Sequence, residues 1–129
     1  MVIETDATVF VVDDDALVRD SLKTLIMTTG LRVETFGSAQ EFLANAARKS
    51  SGLLVLDVRM PGMTGLELQE QLAASGSKMP VIFITAHEDP RIRKTALDGG
   101  AVAFFHKPVD DQMLFEAIDL ALSRMASEP

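Results

Sequence analysis

Leu53-Leu54-Val55-Leu56 runs without interruption into Asp57, and Pro61, Gly62 and Gly65 follow close behind. An unbroken apolar run bounded by turn residues reads as a strand buried on both of its faces. A strand of that kind needs a layer packed on each side, so the chain must build a sheet enclosed by helices. Asp57 then stands where a central strand gives way to a loop. In an open parallel sheet, ligands and chemistry gather at that carboxyl end. A carboxylate placed there needs a cation or another reason to stay charged.

The rest of the chain repeats the theme. Thr8–Val12 reads as a β-rich run ending in Asp13-Asp14-Asp15. From Ala16 to Thr29 the apolar spacing turns helical, with Val18, Leu22, Leu25 and Ile26 on one face and Gly30 as the stop. Arg32–Phe36 alternates, as a strand near an edge does. Ser38-Ala39-Gln40-Glu41 predicts a capping box opening a helix to about Arg48, and Lys49–Gly52 predicts a loop. The central strand 53–57 follows. Thr64-Gly65-Leu66-Glu67 is a second capping box, for a helix to about Ala74, with a loop at Ser75–Ser77. Val81–Thr85 is another buried strand. Asp89-Pro90 reads as an N-cap with Pro at N1, opening a helix to about Asp98 that Gly99-Gly100 ends. Val102–Phe105 is a short strand before His106-Lys107-Pro108, and a last helix runs from Asp110 or Asp111 to about Met125.

Strands joined through helices are parallel, with right-handed crossovers. The prediction is therefore α/β: one doubly wound (βα)5 domain, flavodoxin-like, its five parallel strands in the order 2-1-3-4-5. The 129 residues suit one domain, with a core over about 7–126, and 47% apolar content supports that core. No cysteine is present, which excludes disulfides and thiolate metal sites and fits a reducing cytoplasm. No stretch is long enough to span a membrane, and Met1–Asp6 lacks the basic start of a signal peptide. A net charge of −7 argues against direct nucleic-acid contact by this segment.

Polar groups end four of the five strands: Asp13 and Asp14, Asp57, Thr85 and Lys107. In a parallel sheet these ends point one way, so the groups should converge. Each signal alone has a plain structural reading. Asp15 reads as the N-cap of the first helix, a lone Lys is usually solvated, and a lone Thr belongs in a strand. Together they indicate chemistry. Clustered carboxylates want a hard divalent ion, and Mg²⁺ suits few carboxylates beside phosphate oxygens. Lys107 offers a point charge for a phosphoryl oxygen, and Thr85 offers a hydroxyl. The parts suggest phosphoryl transfer onto Asp57, an aspartate acting as nucleophile.

Four segments, Val12–Asp15, Leu56–Gly65, Ile84–Ala86 and Ala101–Pro108, together resemble the receiver domain of bacterial two-component response regulators. Their detailed wording is similar to the FixJ-like branch. The resemblance implies Asp57 as phosphoacceptor. It implies Mg²⁺ held by Asp14, Asp57 and the Arg59 backbone carbonyl, with Asp13 acting through water. Lys107 would bind the phosphoryl group, Thr85 would move toward it, and Phe104 stands at the aromatic switch position. Lys107–Pro108 would be a cis peptide. Arg59 and His87, two residues after Asp57 and Thr85, occupy positions that tune loss of the phosphoryl group. His106 has no partner ligands and reads as structural or surface. Phe rather than the commoner Tyr at 104 removes a hydroxyl from the switch.

The resemblance also implies a sensor histidine kinase as donor. It implies possible self-association through the face of the fourth helix, fifth strand and fifth helix. The fourth helix carries Arg91, Arg93 and Lys94. The apolar stripe Leu114, Phe115, Ile118, Leu122 and Met125 on the last helix reads mainly as core. FixJ-like wording favours a truncated receiver, its DNA-binding effector outside this segment, over a stand-alone phosphorelay protein. A phosphatase of the haloacid-dehalogenase type needs an acid two residues after its nucleophile, where this chain has Arg59. A flavin carrier needs a phosphate loop after the first strand, where Asp13-Asp14-Asp15 would repel it.

Overall fold

A computed structural model describes residues 7–45, 51–87 and 89–127. The expected continuation of the second helix to Arg48, the start of the loop at Lys49, and the N-terminal Met1–Asp6 lie outside the described residues. The elements are β1 (Thr8–Val12), α1 (Ala16–Met27), β2 (Arg32–Phe36), α2 (Ala39–Asn45), β3 (Gly52–Leu56), α3 (Gly65–Ala74), β4 (Val81–Thr85), α4 (Pro90–Asp98), β5 (Ala103–His106) and α5 (Asp111–Ser127). The strands are all parallel in the order β2-β1-β3-β4-β5, as predicted.

Alternation along each strand sends side chains to two separate cores. Val9, Val11, Leu53, Val55, Ile82 and Ile84 face α1 and α5, where Leu22, Ile26, Leu114 and Ile118 meet them. Phe10, Val12, Leu54, Leu56, Phe83 and Phe104 face the other way, against Phe42 of α2, Leu68 of α3 and Ala96 of α4. Both faces are covered, so β3 and β4 are buried at every position. The edge strand β2 alternates between exposed and half-buried residues until Phe36.

The caps follow the sequence with instructive exceptions. Asp15 accepts from the Leu17 and Val18 amides, and Asp89 accepts from Arg91. Thr64 and Glu67 form the full reciprocal box. At α2 only half of the box forms. Ser38 Oγ takes the Glu41 amide at 3.0 Å, but the Glu41 carboxylate reaches back to the Gly37 amide at 3.2 Å. Helix α1 stops at Met27 rather than Thr29. The Thr28 and Thr29 hydroxyls bond back to the Leu25 and Ile26 carbonyls at 2.6 Å each, and Gly30 turns the chain at φ 88°. Strand β5 is shifted one residue late, because pairing with β4 places His106 opposite Thr85. Strand β3 begins and ends one residue early, and α5 continues two residues past Met125.

Candidate functional site

The sheet's hydrogen bonding continues past the strand ends and fixes the site. The Asp13 amide donates to the Phe36 carbonyl at 3.1 Å, and the Asp57 amide to Val12 at 3.0 Å. The Lys107 amide donates to the Thr85 carbonyl at 2.8 Å. Asp13, Asp57 and Lys107 thus keep the register of the strands before them, though no strand contains them. Asp13, Asp57 and Thr85 are buried, and Asp14 is exposed.

Three strands bring their end groups into contact. Carboxylate oxygens of Asp13, Asp14 and Asp57 lie within 4.8 Å of one another. Lys107 Nζ donates to Asp13 Oδ2 at 2.7 Å and stands 3.5 Å from Asp57 Oδ2. The other Asp13 oxygen accepts the Asp15 amide at 2.9 Å. Burial pushes the Asp57 carboxyl above the usual carboxylate range. Asp13 and, more weakly, Asp14 add to the rise, and Lys107 only partly offsets it. Burial also works against the Lys107 charge. The hydrogen bond to Asp13 and the attraction of both aspartates outweigh it, so the ammonium is held above its ordinary value. The donor set is hard, oxygen-only and crowded with negative charge, so it fits a small divalent cation such as Mg²⁺.

Thr85 stands at the end of β4, its hydroxyl oxygen accepting the His87 amide at 3.2 Å. Phe104 is buried against Phe83, with ring centroids 6.0 Å apart. Arg59 and His87 are exposed on the loops after β3 and β4. Lys107–Pro108 is cis. His106 Nε2 lies 3.1 Å from the Ala86 carbonyl, a tie between the end of β5 and the loop after β4.

Two supporting residues escape sequence reasoning. Arg19 of α1 donates from Nη1 to the Asp13 carbonyl at 2.7 Å, anchoring the turn that carries the acids. A cation so near a helix N-terminus opposes the helix dipole, and that misfit was the available signal. Gly65 lies directly beneath Asp57: a Cβ there would sit 2.2 Å from the Asp57 carbonyl oxygen. Beside Lys107 an apolar hollow of about 510 Å³ opens between α1 and the start of α5, lined by Leu17, Val18, Leu22, Leu25, Pro108 and Val109.

Comparison with known proteins gives a consistent picture. Residues 9–119 match the family described as the response regulator receiver domain. The chain is 46% identical over 120 residues to nodulation protein W of Bradyrhizobium diazoefficiens, covering 93% of this chain and 53% of that protein. A solved structure of the response regulator StyR superposes with a TM-score of 0.87 at 47% identity, covering 95% of this chain and 62% of that one. The crystal structure of FixJ-N gives 0.86 at 40% identity, covering 93% and 96%. The chain spans about half the length of the curated relatives it matches.

Proposed function

The chain belongs to the response regulator receiver domain family, on its FixJ-like branch, and from that membership we propose that Asp57 is its phosphoacceptor. The observation that carries the reading is the meeting of Lys107 Nζ with Asp13 and Asp57, from three separate strand ends, beside Asp14. An Asp57 carboxylate oxygen forms a bond to phosphorus as the donor's P–N bond breaks. The electron pair leaves with the donor imidazole, which takes a proton, and an aspartyl phosphate remains. Lys107 moves its charge from the carboxylates toward the phosphoryl oxygens. Thr85 offers its hydroxyl to the same group, and Phe104 responds behind it. Asp14, Asp57 and the Arg59 carbonyl would hold Mg²⁺ directly, and Asp13 through water. When bound, the ion neutralises the acid cluster and the phosphoryl charge.

The donor is a sensor histidine kinase, in keeping with two-component signalling. The apolar hollow beside Lys107, with the exposed Leu17 at its rim, offers a macromolecular donor a surface next to the reacting carboxylate. The length of the relatives supports an output domain outside residues 1–129, a DNA-binding regulator in our reading, with a stand-alone relay as the alternative. No helix among the described residues is long and apolar enough to cross a membrane, and we place the protein in the cytoplasm. We read basic α4 (Arg91, Arg93, Lys94) and acidic α5 (Asp111, Glu116, Asp119), with Met113 and Leu120 exposed, as the surfaces that two copies would bring together about a two-fold axis. Self-association through this face would appear in sedimentation velocity as a shift on phosphorylation, and an unchanged monomer would remove it.

Intact mass after incubation with acetyl phosphate tests the central claim. One added phosphoryl group is expected with Mg²⁺ and none with EDTA. No gain in either condition would overturn the assignment. Arg59 and His87, exposed on the loops after β3 and β4, stand at the two positions that in receiver domains tune loss of the phosphoryl group, and we assign them that role. Arg59→Ala and His87→Ala are expected to change the decay rate of the phosphorylated species severalfold, on the order of 1 kcal/mol in barrier. Unchanged decay in both removes them from this role.

A further inference from the structure

Phe104 is held from two sides. One side is Phe83 of β4, already described. On the other, the guanidinium carbon of Arg93 lies 5.7 Å from the Phe104 ring centroid, within cation–π range. The same guanidinium donates from Nη1 to the Phe104 backbone carbonyl at 3.1 Å. With both neighbours in place Phe104 is 4% exposed. The three cations of α4 are not equivalent. Arg91 faces Asp89 at 3.9 Å, and Lys94 pairs with Asp98 at 2.6 Å. Arg93 alone of these three is directed at β5. It also stands in the first turns of α4, where the helix dipole disfavours a cation, and its carbonyl and ring partners both belong to β5.

Phenylalanine has no hydroxyl to fix its own position. A stack and a hydrogen bond from one planar group supply that fixing from α4. We propose that Arg93 is a positioning residue that holds Phe104 inward and ties its state to α4, thereby setting how readily Asp57 accepts a phosphoryl group. This rests on the reading of Asp57 as phosphoacceptor and of Phe104 as the ring coupled to it. The coupling is reciprocal: whatever keeps the ring in keeps Arg93 seated, and whatever displaces α4 frees the ring. Lysine cannot substitute, because a point charge offers neither the flat stack nor the fork of donors.

The test replaces the seven phenylalanines with 4-fluorophenylalanine and follows the ¹⁹F spectrum of wild type, Arg93→Lys and Arg93→Gln. The Phe104 signal is identified by its loss in Phe104→Leu. Arg93 is exposed, so its replacement leaves the fold intact, and the other phenylalanine signals verify this. In both variants the Phe104 signal is expected to move and its solvent isotope shift to grow. Phosphoryl uptake from acetyl phosphate should slow about threefold, the share of ring-in molecules having fallen. An unmoved, still protected Phe104 signal would overturn the proposal. So would full restoration by lysine, or a displaced ring with unchanged uptake. Wild-type protein that takes up no phosphoryl group would overturn the Asp57 reading instead, while the ¹⁹F spectra would still decide whether Arg93 holds the ring.

Discussion

Asp57→Asn is expected to take up no phosphoryl group and, in EDTA at neutral pH, to melt a few degrees above the wild type. The first effect follows from the proposed role of Asp57 as nucleophile, since an amide nitrogen and carbonyl cannot replace a carboxylate oxygen there. The second follows from the cost of the charge. Asp57 is 7% exposed and shares its site with Asp13 and Asp14. Burial first, and then these neighbours, raise its pKa above the ordinary value. The unfolded chain therefore gives up this proton at lower pH than the folded one. The resulting penalty is absent in strong acid, grows as pH rises through the ordinary carboxylate range, and is complete above the raised folded value. Asparagine removes it, a gain of about 1 kcal/mol, which shifts Tm by roughly 4 °C in a domain of this size. Mg²⁺ reverses the ranking, because a ligand bound only by the native state stabilises it and the Asn variant holds the ion less well. Far-UV circular dichroism melts, with and without Mg²⁺ and at acid pH, check all three statements. An Asn variant that melts below wild type in EDTA would mean that the Lys107 pairing outweighs the crowding.

Why the site was legible in the sequence, and its supports were not, has a physical answer. A doubly covered parallel sheet forces continuous apolar runs, so β3 and β4 announce themselves. Parallel connection then requires every run to end on the same side, which is why Asp13, Asp57, Thr85 and Lys107 could be gathered on paper. Strand ends were less secure by one residue. His106 joins β5 because Thr85 pairs with it, a fact about another strand. Glu41 chose the Gly37 amide over the local partner its motif named. Arg19 and Arg93 act across elements, and no local spacing encodes their targets. Both nonetheless stand early in a helix, where the dipole disfavours a cation. That electrostatic misfit is a signal that apolar periodicity does not carry.

Gly65→Ala is expected to be the most disruptive single-methyl change near the site. The motif reading gave Gly65 a place inside a capping box, but the glycine is required by what lies above it. The first residue of α3 passes so close under Asp57 that its amide donates to the Val58 carbonyl at 2.8 Å. A methyl group there would lie 2.2 Å from the Asp57 carbonyl oxygen, 3.0 Å from its carbonyl carbon and 3.1 Å from the Phe83 ring. Two of those neighbours are backbone and cannot rotate aside, so either α3 or the Asp57 turn must move. Overpacking of this kind costs about 1–3 kcal/mol. The site also shares the damage, because a shifted Asp57 loses its distance to Lys107 and its register with β1. Gly76 is the control. Its φ of 81° strains an alanine, but no atom lies within 4 Å of the added methyl, so Gly76→Ala costs about 1 kcal/mol from backbone strain alone. Thermal melts should therefore rank Gly65→Ala well below Gly76→Ala. Phosphoryl uptake should fall at least tenfold in Gly65→Ala, about 1.4 kcal/mol or more in barrier, and stay at the wild-type rate in Gly76→Ala. Equal melting points with normal uptake in both would show that α3 is free to slide, and that the Asp57 turn is held by β1 and Lys107 alone.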